Sequence, residues 1–342
     1  MVAVMAVAGQ GAGSVLVTGG GGALGPPVLR AFTEAGWSVR SLSRSEAIPL
    51  GAGRAVDHVQ GDIRDEPLVR QAMQGVDVVV HMASLLHVTD GANERAAEYR
   101  DVNVHGTEVV VGAAGDAGVA RIVFTSSICV YGSFRKGLLD EESDLDPDTP
   151  YAETKREAEQ VVLKGKGEVS VPEGVVLRLA AVYGPGIKGN YFRLARAVSR
   201  GRFIAVGGGA NRRTLVFEED AARAIVIAAT HPKATGRVYN VTDGDYHTVA
   251  EITKAIADAF GRPTPRWAVP LSLARVVVAA LESGSSALGR KPPMSRATLE
   301  KYTEEIVVSG RRMRSELGFE ARCDLAEGWR RTASGMRAEG RL

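Results

Sequence analysis

The chain has 342 residues, 45% hydrophobic and 24% charged, with a net charge of +2 and two cysteines, Cys129 and Cys323. That length accommodates about two domains with sizeable cores, and the near-neutral balance gives no electrostatic case for nucleic acid or an anionic membrane as a bulk partner. Two cysteines exclude a disulfide framework and fit a reducing, cytoplasmic setting.

Residues 1–13, MVAVMAVAGQGAG, are apolar but lack Lys and Arg, a poor match to a secretory signal. They read as a loose leader. SVLVTG (14–19) predicts a buried strand, followed by glycines and a helix near Pro26 to Ala35. Further strands are predicted at 38–42, 56–62, 76–83, 120–127 and 174–180. Helices are predicted at Glu66 to Met73, Ala96 to Gly115 and Tyr151 to Leu163. Continuous β-branched runs alternating with helices predict an α/β fold, a doubly wound parallel (Rossmann) sheet with its ligand beyond the strands' carboxyl ends. After Tyr183 the pattern loosens into Gly- and Asn-rich segments. RVYN (237–240) predicts one more strand returning to the sheet, and the rest predicts a smaller, mostly helical C-terminal substrate lobe. The expected division is 14–180 plus about 214–245 for the dinucleotide-binding domain, and about 181–213 with 246–335 for the lobe. The apolar run Leu271 to Leu281 is broken by Arg275 and is shorter than the roughly 20 residues a membrane-spanning helix needs. It suits the wall of an apolar pocket, a core helix or a partner-helix face.

VLVTGGGGALG places Gly19, Gly22 and Gly25 at three-residue intervals between strand and helix. Backbone without Cβ atoms turns tightly and approaches a pyrophosphate closely, and the helix N-terminus offers free N–H groups. Gly19, Gly22, Ala23, Leu24 and Gly25 are therefore candidate dinucleotide contacts, in the strand–loop–helix context that a bare glycine triplet lacks. Pro26 and Pro27 fall in the first helical turn, where proline is tolerated. GDIRD (61–65) ends the third strand. Asp62 there can accept from an adenine amino group, with Ile63 near the ring, or can cap the next helix. Both readings stay open.

PYAETKREAE puts Tyr151 and Lys155 four apart, on one face of a predicted helix. An ammonium and an oxidised nicotinamide both favour the phenolate, so Tyr151 can exchange a proton with a substrate hydroxyl as hydride moves. Eight tyrosines and nine lysines in 342 residues give about 0.2 such pairs by chance, so the spacing alone is weak. Its place after the fifth strand, where a doubly wound site opens, strengthens it. Ser127 ends that strand and can donate to the same substrate oxygen.

The glycine loop, GDIRD, VVHMAS, VNVHGT, TSSICVYG, PYAETK and LRLAAVYGPG occur in the order of the extended short-chain dehydrogenase/reductases, and the chain resembles their NAD-dependent epimerase/dehydratase branch over about residues 14 to 335. The resemblance implies catalytic roles for Ser127, Tyr151 and Lys155. It implies adenine contacts from Asp62 and Ile63, contacts to the nicotinamide half from Ala83 and Lys155, and further cofactor contacts from Ser84 and Tyr151. Asn103 matches a structural Asn and His81 a position that is usually structural. Leu179 stands where the family usually has proline. A homodimer is expected from the family alone.

Sugar-nucleotide 4,6-dehydratases of this family place Asp-Glu after the catalytic hydroxyl residue. Here Ile128 and Cys129 stand there, and neither serves as general acid or base. Cys129 is expected in the core. What remains is hydride transfer at one secondary alcohol or ketone carbon, with epimerisation of a nucleotide sugar (4-epimerase type) as the leading expectation. The alternative is an NADP-dependent ketone reductase or hydroxysteroid-type dehydrogenase, and a third reading is a catalytically inactive cofactor-binding regulator. Asn190 and Arg213 match diphosphate-holding positions, although Arg212-Arg213 also suits a solvated basic loop. Ser84 and His87 are further candidate substrate contacts. No metal site is predicted. SVRSLSRS (38–45) ends the second strand with Ser43 where NAD-using epimerases usually carry Asp. Arg44, with Ser43 or Ser45 donating, suits a 2′-phosphate, and the alternative is a solvated Arg. The expected cofactor is NAD or NADP, with NADP favoured.

Overall fold

The computed structural model describes residues 13–46, 56–86, 93–133, 135, 137–164, 172–186, 188–264, 268–287 and 296–342. Residues 1–12 of the expected leader, and His87, lie outside them. The first half runs β1 (Ser14–Thr18), α1 (Gly25–Glu34), β2 (Ser38–Ser43), β3 (Asp57–Gln60), α2 (Glu66–Ala72), β4 (Val78–His81), α3 (Ala96–Arg100), α4 (Gly106–Asp116), β5 (Arg121–Ser127), α5 (Pro150–Leu163) and β6 (Glu173–Leu179). Then follow β7 (Ala181–Tyr183), α6 (Asn190–Ser199), β8 (Ala205–Val206), β9 (Arg212–Arg213), β10 (Leu215–Phe217), α7 (Glu218–Thr230) and β11 (Val238–Val241). The chain closes with β12 (His247–Thr248), α8 (Val249–Phe260), β13 (Ala268–Val269), α9 (Leu271–Ala287), α10 (Arg296–Thr303), α11 (Arg311–Leu317) and α12 (Leu325–Ala338).

Seven strands form one parallel sheet in the order β11-β6-β5-β4-β1-β2-β3. The order reverses at β1, so the crevice between β1 and β4 is the switch point where such sheets bind ligands. Alternation builds the two faces. Val15 and Val17 join Val28 and Phe32 of α1 and Ile225 of α7 in one core, while Leu16 joins Val69 of α2, Val110 of α4 and Ala158 of α5 in the other. RVYN returns to the sheet as the sequence predicts, in β11, which pairs with β6. A separate core of Tyr183, Val198, Ile252, Trp329 and Met336 joins α6, α8 and α12.

One detail departs from expectation, and another is one the sequence leaves open. The helix predicted from Ala96 to Gly115 is broken by a five-residue π-helical stretch, Asp101–His105. Helix α9 buries Ala274 and Val278 against Val206 and Leu299, and leaves Leu273, Val276 and Val277 exposed. Among the described residues no helix is long and apolar enough to cross a membrane.

Candidate active site

The register of the sheet brings Thr18, Leu42, His81 and Phe124 level across β2, β1, β4 and β5, so the loops that follow them share one edge. Gly19 leaves β1 at φ 76°, and a Cβ there would lie 2.7 Å from the Ala83 amide nitrogen. Only glycine fits that conformation and approach. Gly22 N donates to Gly19 O and Gly25 N to Gly22 O, coiling the loop into α1. Pro26 and Pro27 remove two donors from the first turn of α1. The amides of Ala23 and Leu24 find no acceptor among the described residues, which leaves them for an anion. A Cβ at Gly21 would lie 2.8 Å from Ser43 Oγ and 2.7 Å from Ser45 Oγ, so the end of β2 abuts this cradle. Ser43 is buried, its Oγ donating to Ser45 O at 3.1 Å. Arg44 is exposed, and its guanidinium makes no hydrogen bond or ion pair among the described residues. Free loop amides and a Cβ-free floor fit the pyrophosphate of a dinucleotide.

Asp62 is not the cap of α2. Asp65 is, accepting from Leu68 N. Asp62 instead takes Arg64 through both oxygens, at 2.9 and 2.8 Å, and the Arg64 hydrogen bond holds its carboxyl below the usual range despite burial. Ile63 is buried in the core beside Leu42 and Val69, against Gly106, so its side chain does not lie at the surface of the crevice.

Ser127 and Tyr151 come together, and Lys155 follows one turn further along α5. Ser127 caps the short turn Ile128–Tyr131, accepting from Cys129 N at 3.2 Å, and its hydroxyl is hydrogen-bonded to Tyr151. Thr149 caps α5 through Ala152 N, which puts Tyr151 in the first turn, where the positive end of the helix dipole favours a phenolate. Burial alone pushes the Tyr151 phenol above its ordinary value, so a cation nearby is needed to bring it down. Lys155 is 2% exposed, donates to Thr125 O at 2.8 Å and lies 4.5 Å over the Phe124 ring. Burial pulls its ammonium down to about 7, against an upward pull from Glu159. Cys129, expected in the core, is half-buried and close enough to Tyr151 to affect its ionisation.

A buried polar chain braces this centre. Thr107 donates its only hydroxyl proton to Asn103 O, so His81 Nε2 must donate to Thr107, and His81 Nδ1 accepts from Thr18. Burial and the nearby Lys155 push His81 down to about 3, keeping it neutral, in line with the structural role expected for it. Asn103, inside the π stretch, accepts from Leu85 N at 2.7 Å and donates to Thr154 Oγ1 at 3.1 Å. That wider helical turn points one amide both at the loop after β4 and at α5. Ala83 and Ser84 begin that loop, and Leu86 in it is 57% exposed.

On the lobe side, Asn190 opens α6 and is exposed. Arg213 is 9% exposed and paired with Glu304 at 2.9 Å, and Arg212 pairs with Glu305 at 2.7 Å. Arg213 is thus not a solvated loop residue, Arg212 stays partly exposed, and both cations have carboxylates of their own. Among the described residues no group of three or more His, Cys, Asp or Glu could hold a metal ion.

Sequence reasoning did not find Glu218. It begins α7 and accepts from Gly186 N at 3.2 Å, while a Cβ at Gly186 would lie 2.7 Å from Ala23 O of the glycine loop. Burial pushes its carboxyl up from 4.5 to about 7. Below pH 4.5 both folded and unfolded chains hold this proton. Between 4.5 and 7 only the folded chain does, so the stability it contributes is lost as pH rises through 7. Glu218→Gln keeps the oxygen acceptor. It is expected to raise Tm at pH 8 by about 2–4 °C, on the order of 1 kcal/mol after allowing for solvent screening, and to change nothing at pH 4.5. Equal melting curves at pH 8 would dismiss this account of Glu218.

The fold and this arrangement define a class: α/β proteins that hold a dinucleotide over the carboxyl edge of a parallel sheet. The chain belongs to the NAD dependent epimerase/dehydratase family, whose model matches residues 15–242. It is 33% identical over 268 residues to the UDP-glucose 4-epimerase of Vibrio cholerae, covering 76% of this chain and 79% of that one. It is 31% identical over 328 residues to the 2-alkyl-3-oxoalkanoate reductase of Stenotrophomonas maltophilia (strain K279a), covering 93% of this chain and 97% of that one. Among solved structures, MoeE5 in complex with UDP-glucuronic acid and NAD superposes with a TM-score of 0.76 at 25% identity, over 96% of this chain and 100% of that one. Family membership supports a nicotinamide cofactor and hydride transfer as the chemistry.

Proposed function

We propose that this chain is an NADP(H)-dependent oxidoreductase that interconverts an apolar ketone and its secondary alcohol. The distribution of charge carries this reading. The cation beside the cofactor cradle, Arg44, is unpaired among the described residues, while Arg213, at the substrate end, already has Glu304. A nucleotide diphosphate would have to compete with that buried carboxylate, whereas a neutral substrate would not. The half-buried Cys129 close to Tyr151 also suits an apolar group. The reductase relative extends over 93% of the chain, into the lobe.

In this reading residues 14–180 and about 214–245 hold the cofactor, and about 181–213 and 246–335 cover the substrate. The reduced nicotinamide supplies the hydride. Ser127 Oγ–H donates to the carbonyl oxygen and positions it. Tyr151 gives its phenolic proton to the developing alkoxide and regains one from solvent. The Lys155 ammonium holds the phenolate that remains. The intact Ser127, Tyr151 and Lys155 argue against an inactive regulator, and Ile128 with Cys129 against a 4,6-dehydratase.

Nucleotide-sugar epimerisation is the second reading, favoured by the 33% identity to the Vibrio cholerae epimerase. An epimerase recycles its cofactor in place, whereas a reductase must exchange it. The purified protein, denatured and analysed by mass, is therefore expected to release no stoichiometric NAD. One NAD per chain carried through purification would move the assignment to the epimerase.

A further inference from the structure

Helix α5 carries a third inward side chain. Tyr151, Lys155 and Glu159 recur at four-residue intervals, along one face. Glu159 is 3% exposed and Arg178 of β6 is 5% exposed. Arg178 grips the carboxylate twice, Nη2 to Oε2 at 2.7 Å and Nε to Oε1 at 3.0 Å. Ser126 donates its hydroxyl to Oε1. Arg178 Nη1 donates to Tyr131 OH at 3.0 Å, and Tyr131 OH donates to Asn240 Oδ1 at 2.9 Å. Ser126 directly precedes Ser127, and Tyr131 closes the turn that Ser127 caps. One buried pair thus meets both strand β5, which ends in Ser127, and the helix that bears Tyr151 and Lys155.

A buried ion pair is costly to desolvate, and an apolar pair of equal volume often serves stability as well. Its position next to the reacting groups calls for another account. We propose that Glu159 and Arg178 are positioning residues that set the charge on Lys155 and hold the Ser127 turn against α5. This rests on the reading of Tyr151 and Lys155 given above.

The groups around Lys155 make the sign definite. Along α5 lie Tyr151, neutral, and Glu159, anionic. From β4 comes His81, neutral, and from β5 the Thr125 carbonyl and the Phe124 ring. Arg178 reaches in from β6 behind Glu159. Burial disfavours the ammonium and Glu159 favours it, while Arg178, paired with Glu159, offsets part of that carboxylate's field. Removing the carboxylate alone leaves an uncompensated cation behind it, so Lys155 gives up its proton at lower pH. Removing the guanidinium alone leaves an uncompensated carboxylate, so Lys155 keeps its proton to higher pH.

The test is a pH titration of the full-length protein labelled with 13C at lysine Cε. The Lys155 signal among nine lysines is assigned by its loss in Lys155→Met. The wild-type midpoint is expected near 7. Glu159→Gln is expected to lower it and Arg178→Gln to raise it, each by about one pH unit. Because either single change can prevent folding, Glu159→Leu with Arg178→Met supplies an uncharged pair of similar bulk. Its midpoint should fall below wild type, by less than in Glu159→Gln. Single-variant midpoints that move together, or a double variant that titrates as wild type, overturn the proposal. These outcomes need no substrate, so they are separate from failure of the catalytic reading, which would show as retained turnover in Tyr151→Phe.

Discussion

Tyr151→Phe is expected to lower turnover by about 10³-fold while leaving NADPH affinity within about twofold, the range set by loss of a positioned general acid. The substitution removes one oxygen. The ring stays against Tyr99, whose centroid lies 6.2 Å away, and the Thr149 cap on Ala152 N is untouched. The cofactor cradle is built from the loop after β1 and the end of β2, so binding should persist. What is lost is the proton that an alkoxide needs when hydride arrives. Burial pushes the phenol above its ordinary value, so it holds its proton at neutral pH until the alkoxide forms. Steady-state NADPH oxidation and fluorescence titration of NADPH separate the two effects. Turnover within tenfold of wild type would remove Tyr151 from the mechanism.

Replacing Ser43 by Asp and Arg44 by Ala is expected to invert the cofactor preference. Each charge-assisted hydrogen bond to a 2′-phosphate contributes about 1.5–3 kcal/mol, or roughly 10- to 10²-fold in affinity. Arg44→Ala alone should weaken NADPH by that factor and leave NADH nearly unchanged, because a 2′-hydroxyl gains little from the cation. The aspartate adds an acceptor for the 2′-hydroxyl and repels the phosphate. Ser43 Oγ stands 2.8 Å from a Cβ position at Gly21, so the shorter side chain of Asp, not Glu, fits beside the loop. Kd values for NADPH and NADH, measured on the single and double variants, check this. Equal loss for both cofactors would mean that Arg44 supports the loop and does not read the phosphate.

Much of the fold was legible because its signals are local. The valine runs of β1 and β4 alternate between two cores, and Gly22 and Gly25 close on backbone atoms of their own loop. Tyr151 and Lys155 are four residues apart, and a helix alone puts them on one face. The unread features are those whose partners lie far away in sequence. Arg213 lies in a Gly-rich segment, and its partner Glu304 is 91 residues further along the chain. Asp62 and Asp65 both precede α2, and only the backbone path decides that Asp65 caps it. The break in the helix around Asn103 depends on Leu85 and Thr154, which sit on two other elements. Glu159 carried a faint signal: an acid one turn beyond Lys155, on the inward face of its helix.

The central claim is that hydride passes between NADPH and an apolar ketone at Ser127, Tyr151 and Lys155. The direct measurement is incubation with NADPH deuterated at nicotinamide C4, in each face-specific form, together with ethyl 3-oxooctanoate and related ketones, and mass analysis of the products. The account predicts deuterium on the carbinol carbon from one of the two forms, one NADP formed per alcohol, and no transfer in Tyr151→Phe. No transfer to any ketone, with UDP-glucose converted to its 4-epimer and no net cofactor oxidised, would contradict it.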